Sequence, residues 1–287
     1  MQNSLSGAPA LPSALPMNAI RSAAAWTAIV LLILVWPVVL VAVRLSERDP
    51  ARYRTGRTFR RLGVAMTRVN PAWRVTHSGR YPEDPRHPYV VVSNHQSNAD
   101  IPLISTLPWE MKWVAKKSLF ALPVAGWMLR LAGDIPVDRG DPASRAAVLR
   151  RAHDVLARRC SVMFFPEGTR SRDGRVRRFQ DGAFRLAIEA GVPVLPLAVD
   201  GTADALPKHG WKFGNVDCRI HVFDPVPTEG LGPDDVAALR ARVRQQIITH
   251  IAAWRGVSPE AVDGDAPAPA KQATPASGAL PEGERRS

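Results

Sequence analysis

Cysteine is scarce in this chain of 287 residues, which carries only Cys160 and Cys218. They match no metal or redox spacing, and one possible pair is no disulfide framework, so a reducing compartment is the simpler reading. His77, His87, His153, His209, His221 and His250 show no ligand spacing with His95, which argues against a metal hydrolase. No Gly-x-Ser-x-Gly elbow is present, so no serine is displayed as a nucleophile in that way. No internal repeat and no nucleic-acid-binding motif appear, and the cations gather beside strand ends rather than in stripes interleaved with aromatics.

Charge is missing from one stretch altogether. Ser22 to Val43 is a run of 22 uncharged residues centred on Ile29 to Trp36. As a helix it rises ~33 Å, enough to cross a hydrocarbon core of ~30 Å. A buried core helix and a cleaved signal peptide are the alternatives. A signal core runs only ~7–15 residues, however, and no small-x-small cleavage site follows here. A membrane segment is therefore expected, with Pro37 allowing a shallow, re-entrant course in place of a full span.

Elsewhere charge is abundant and one-sided. The net charge is +12, mostly arginine, which draws an anionic partner: nucleic acid, a phospholipid surface or a phosphorylated ligand. Arg44, Arg48, Arg52, Arg54, Arg57, Arg60 and Arg61 follow the apolar run against Glu47 and Asp49, while only Arg21 precedes it. That bias puts the remainder of the chain on the cytoplasmic side. Tyr53 to Val69 sets Phe59, Leu62, Val64, Met66 and Val69 among arginines. It suits either a helix lying on anionic headgroups or one packed on the rest of the protein.

The expected organisation is a loose leader over 1–18, a membrane anchor with a basic amphipathic helix over 19–70, and a catalytic domain over 71–260. A tail over 261–287, poor in large apolar residues, is expected to remain unfolded. Strands are predicted at Tyr89–Val92, Ser161–Phe165, Val192–Val199 and Arg219–Phe223. Asp141 and Pro142 start a helix whose apolar stripe is Val148, Leu149, Ala152, Val155 and Leu156. Further helices run from Gly182 to Ala190, ending at Gly191, and from Asp234 to Trp254. Strands alternating with helices indicate an α/β domain built on a layered sheet.

Two segments following strands carry the candidate chemistry. In Ser93-Asn94-His95-Gln96-Ser97-Asn98-Ala99-Asp100, Asp100 can fold back onto one imidazole nitrogen and leave the other as a general base. A capping box over Ser97 and Asp100, with His95 a satisfied loop residue, is the plain alternative. In Phe165-Pro166-Glu167-Gly168-Thr169-Arg170-Ser171, Gly168 permits close backbone approach and Arg170 suits phosphate oxygens. Glu167 and Arg170 pairing across a turn is the alternative there. Lys112–Phe120 offers cations beside apolar bulk and Gly133–Gly140 ends in an arginine between short turns; taken alone, either is compatible with a solvated surface.

Taken together these segments resemble the glycerolipid acyltransferase family, in particular the 1-acylglycerol-3-phosphate (lysophosphatidic acid) acyltransferases. Asn94, His95 and Asp100 match the Asn-His-x4-Asp motif, and Ile135 to Gly140 matches a second region built on Arg139. Phe165 to Ser171 matches Phe-Pro-Glu-Gly-Thr-Arg-Ser in full, and Val192 to Leu197 matches an apolar run around prolines. The likeness covers about Trp73 to Phe223, with the motifs in order.

The resemblance implies an α/β acyltransferase that moves a fatty-acyl group from acyl-CoA or acyl carrier protein to the sn-2 hydroxyl of lysophosphatidic acid. His95 is then the base and Asp100 its orienting partner. Arg139, Glu167, Gly168, Thr169 and Arg170 bind the acceptor, with Lys116 a weaker addition. No cofactor and no metal are implied. The setting is the cytoplasmic face of the inner membrane. A lyso-ornithine lipid or another lysophospholipid is a rival acceptor. A non-catalytic protein that binds anionic membranes is the reading from a different class.

Overall fold

A computed structural model of the chain describes residues 17–70, 73–205 and 211–266. Most of the expected leader and tail, residues 1–16 and 267–287, lies outside the described residues. The strands are β1 (Trp73–Gly79), β2 (Val90–Ser93), β3 (Met111–Lys116), β4 (Ile135–Val137), β5 (Ser161–Phe164), β6 (Val194–Asp200) and β7 (Val216–Val222). The α-helices are α1 (Met17–Ser46), α2 (Tyr53–Arg68), α3 (Asp100–Ile104), α4 (Ala125–Ala132) and α5 (Pro142–Ala157). After them come α6 (Gly182–Ala190), α7 (Thr202–Ala205), α8 (Val236–Arg255) and α9 (Pro259–Val262).

The strands form one sheet in the order β1-β7-β6-β2-β5-β3-β4. β6, β2, β5, β3 and β4 run parallel, while β7 runs antiparallel to β6 and carries β1 parallel to itself. The short apolar runs alternate faces as a pleat requires. Val90 and Val92 enter a core covered by α5, α6 and α8, and Val91 enters the opposite core with Leu103, Ile104, Leu107 and Trp109. Because these five adjacent strands are parallel, every segment that follows one of them emerges at the same edge of the sheet, where open α/β sheets bind ligands.

Several helix limits follow from local chemistry. Asp141 accepts from the Ala143 N–H at 2.9 Å and caps α5, with Pro142 opening the helix. Gly191 closes α6 in the left-handed conformation, φ 61°. At α2 the cap comes from upstream: Glu47 accepts from the Arg54 and Thr55 amides at 2.6 and 2.9 Å.

Several expectations need correcting. Lys112–Phe120 is solvated surface only from Lys116 to Leu119. It contains β3, and Lys112 is 1% exposed because its ammonium donates to Glu110 Oε1, the Arg52 carbonyl and the Ala132 carbonyl. Gly133–Gly140 likewise holds β4. The ordered chain also runs past residue 260. The Asp263 carboxylate pairs with Arg244, and Gly264 N donates to the Val176 carbonyl at 2.9 Å. The helix continues back to Met17, inside the span expected to be loose.

The α2 arginines are not all free for a membrane either. Arg60 is buried and pairs with Asp134, Arg57 donates to the Leu107 carbonyl at 2.6 Å, and Arg52 donates to the Arg130 carbonyl at 2.8 Å. α2 is thus packed on the domain, between α1, α3 and α4. α1 is long and apolar enough to cross a membrane, and most of its apolar window is not buried. It touches the rest of the protein at two levels: Trp26 Nε1 donates to the Trp211 carbonyl at 2.7 Å, and Trp36 Nε1 donates to the Thr58 carbonyl of α2 at 2.9 Å.

Candidate active site

His95 lies two residues beyond β2, and Asp100 is the first residue of α3. The tight connection between them turns the carboxylate back on the ring, with His95 Nδ1 2.7 Å from Asp100 Oδ2. The same oxygen accepts from the Gln96 and Ser97 amides at 2.7 and 3.0 Å. Asp100 Oδ1 accepts from Thr202 Oγ1, at the start of α7. A carboxylate is acceptor-only, so Nδ1 carries the proton and Nε2 holds the lone pair. The His95 side chain keeps 11% of its surface exposed, and Nε2 has no hydrogen-bond partner among the described residues. The Ser97–Asp100 pairing of a capping box is half present, through the Ser97 amide, and the same carboxylate oxygen serves the histidine as well.

The segment after β5 holds the histidine's backbone. His95 N donates to Glu167 Oε1 at 2.8 Å, and Ser171 N donates to the His95 carbonyl at 2.8 Å. The Phe165 ring stacks on the imidazole at 3.9 Å between centroids and 14° between planes. Glu167 is 6% exposed and also accepts from Arg177 N at 3.3 Å. Burial pushes its carboxyl up to about 8, against the pull of those two amides. It forms no ion pair with Arg170 among the described residues; it faces backbone. Gly168 adopts φ 73° and turns its carbonyl to Arg139, whose Nη1 donates to it.

Beside Gln96 and Ser97 opens a pocket of about 250 Å³, lined further by Thr169, Arg170, Arg172 and Arg177. Three guanidinium groups and no carboxylate face it, which suits an anion. Arg139 and Lys116 are not in its wall. Arg139 reaches the Gly168 turn from beyond β4, and Lys116 is exposed at the end of β3.

Asn94 has a structural part, since its amide exchanges two hydrogen bonds with the Val199 backbone, at 2.8 and 2.9 Å, and ties β2 to β6. Thr202 was not singled out from sequence, and Phe165 was quoted only as the first residue of its motif, with no role for its ring. Thr202 could have been sought just past a parallel strand's end, after Gly201 at φ 81°, where an added Cβ would meet the Asp217 carbonyl at 2.2 Å.

The acyltransferase family model matches residues 74–200, from β1 to the last residue of β6. The human 1-acyl-sn-glycerol-3-phosphate acyltransferase alpha is 40% identical over 61% of this chain, which spans 63% of the human protein's length. The Pseudomonas aeruginosa 1-acyl-sn-glycerol-3-phosphate acyltransferase is 32% identical over 67% of this chain and 75% of its own length. The chain belongs to the 1-acyl-sn-glycerol-3-phosphate acyltransferase family. The crystal structure of the 1-acyl-sn-glycerophosphate (LPA) acyltransferase of Thermotoga maritima superposes with a TM-score of 0.67 at 25% identity. That match covers 82% of this acyltransferase-family chain and 96% of the other.

Proposed function

We propose that this protein transfers a fatty-acyl group from an acyl thioester to the free sn-2 hydroxyl of lysophosphatidic acid, making phosphatidic acid for phospholipid synthesis. The observation that carries the reading is the His95–Asp100 pair, with Nε2 open, beside a pocket walled by Arg170, Arg172 and Arg177. A phosphate monoester bears about −1.5 to −2 charges near neutrality, and that wall answers it. His95 Nε2 takes the hydroxyl proton as the oxygen attacks the thioester carbonyl; Asp100 holds the tautomer and meets the imidazolium charge. The tetrahedral intermediate collapses, the thiolate leaves, and Nε2–H returns the proton. A thiol near pKa 8.5 is a competent leaving group, so one base suffices and no acyl-enzyme is needed. The donor is acyl-CoA or acyl carrier protein.

The protein is membrane-associated in this reading, on the cytoplasmic face of the inner membrane. The arginine excess after α1 supports that face. The contacts of Trp26 with the Trp211 carbonyl and of Trp36 with α2 support an α1 that lies beside the folded body of the protein within one leaflet.

The test incubates membranes carrying wild type or His95→Ala with labelled acyl-CoA and lysophosphatidic acid. Phosphatidic acid made by wild type and lost in the variant is expected. Product formed only with acyl carrier protein would assign the donor, and product formed only with lyso-ornithine lipid would overturn the acceptor. Full activity in His95→Ala would overturn the mechanism.

A further inference from the structure

From Met111 to Gly133 the chain holds Lys112, Lys116, Lys117 and Arg130 and no acidic residue. Lys112 points inward, and the others are exposed. Between β3 and α4 the chain turns three large apolar residues outward: Leu119 is 38% exposed, Leu122 49% and Trp127 43%. Isolated apolar side chains are common on soluble surfaces, but a contiguous set is not. Phe120 and Met128 of the same segment are buried, so it is docked and not merely loose. Val124, at the corner before α4, has φ 59°, a costly conformation for a β-branched residue that the surrounding packing must hold.

The neighbouring helix identifies the occupant. Val124, Met128 and Leu131 pack with Leu32, Ile33, Trp36 and Leu40 of α1. The outward residues Leu122 and Trp127 thus adjoin in sequence the residues seated on α1, which itself exposes Leu31, Leu34, Val35 and Val38. Exposed leucines, a tryptophan and flanking cations form the usual composition of an element seated at an anionic bilayer surface.

We propose that Lys116–Ala132 is a second membrane-contact element, which lies on the same bilayer as α1 and borders the candidate active site where β3 ends. It would hold the mouth of the site against the lipid surface, so that a bilayer-resident acceptor reaches His95 sideways without leaving the membrane. The contact rests on the membrane reading of α1; only its consequence for the acceptor rests on the acyltransferase reading.

The experiment places a nitrobenzoxadiazole probe on Leu122→Cys, Leu34→Cys or Gln245→Cys of the full chain, the last on α8 across the sheet. Each is mixed with phosphatidylcholine–phosphatidylglycerol vesicles containing spin-labelled lipid. Quenching and a blue shift at positions 122 and 34, with none at 245, are expected. Quenching at 34 alone overturns the proposal, and silence at both overturns it together with the membrane role of α1.

A second measurement compares wild type with Leu119→Asp/Leu122→Asp. About tenfold lower activity on vesicle-borne lysophosphatidic acid, with unchanged activity on a short-chain monomeric acceptor, is expected. Equal losses in both presentations overturn it. A loss seen only with acyl carrier protein as donor would make the surface a protein dock instead, and also overturns it. Inactivity of wild type on either acceptor sinks the reaction assignment, while the probe still decides the contact.

Discussion

Thr202 Oγ1 donates to Asp100 Oδ1, the carboxylate oxygen that His95 does not use. The two residues are more than a hundred positions apart, brought together because β2 and β6 are neighbours in the sheet. With the Gln96 and Ser97 amides on Oδ2, this leaves the fully buried carboxylate little freedom to rotate away from the imidazole.

Thr202 is thus a positioning residue. Thr202→Val keeps the shape and deletes the donor, and is expected to lower kcat about tenfold, the cost of one hydrogen bond to a charged group, with KM for both substrates unchanged. Thr202→Ser should restore most of the rate. A loss of KM and stability without a kcat effect, or no rescue by serine, would show that Thr202 only fills space.

Glu167 makes the stability depend on pH. Its folded-state carboxyl titrates near 8, above the ordinary 4.5, because burial outweighs the His95 and Arg177 amides. Folding therefore favours the protonated form. That contribution is complete below about 4.5 and is lost as pH rises through about 8. Glu167→Gln cannot ionise, so its Tm should gain on that of wild type as pH is raised from about 5 to 9. Parallel Tm curves for the two proteins would mean that Glu167 is already ionised at neutrality.

Arg170 and Arg139 are expected to separate kinetically. Arg170 lines the basic pocket, so Arg170→Ala should raise KM for lysophosphatidic acid by about tenfold to a hundredfold, the loss of one charge-assisted contact, and leave kcat within about threefold. Arg139 holds the Gly168 carbonyl, and Arg139→Ala should lower kcat as well by loosening the Glu167–Arg170 turn. Steady-state kinetics on one lipid preparation decide it; a pure KM effect at both sites would assign Arg139 to the phosphate directly.

Arg60 of α2 belongs to a buried network. It pairs with Asp134 and lies 3.7 Å from Glu110, which itself holds Lys112 at 3.0 Å. Arg60→Met leaves two buried carboxylates to one lysine, and is expected to cost about 3–5 kcal/mol in denaturant unfolding. The exposed Arg74–Asp217 pair serves as the control, and Arg74→Ala should leave the midpoint unchanged. An unaltered midpoint for Arg60→Met would mean that water reaches the network.

The candidate-site segments were legible because each is short and contiguous. His95 and Asp100 are five positions apart, and Phe165 to Ser171 is one turn after a strand, so local chain geometry alone can bring their groups together. β2, β5 and β6 were legible as apolar runs ended by polar residues or proline. β3 was not, because Lys112 and Lys116 flank Trp113, and a lysine reads as surface until its acceptors are known. β4 is three residues with a central proline, too short for any period. The end of the fold was misplaced because Asp263 and Gly264 are held by Arg244 and Val176, which the composition of the tail does not reveal.

The sequence by itself determined the α/β class, the apolar helix, the family and the candidates for the chemistry, since all of these follow from local pattern. Tertiary structure alone decided the partners. Thr202 meets Asp100, Glu167 accepts from the backbone of His95, and Arg60 is buried on Asp134 instead of resting on headgroups. Each of these pairings closes a long loop, and its energy depends on burial and geometry that no local stretch of chain encodes.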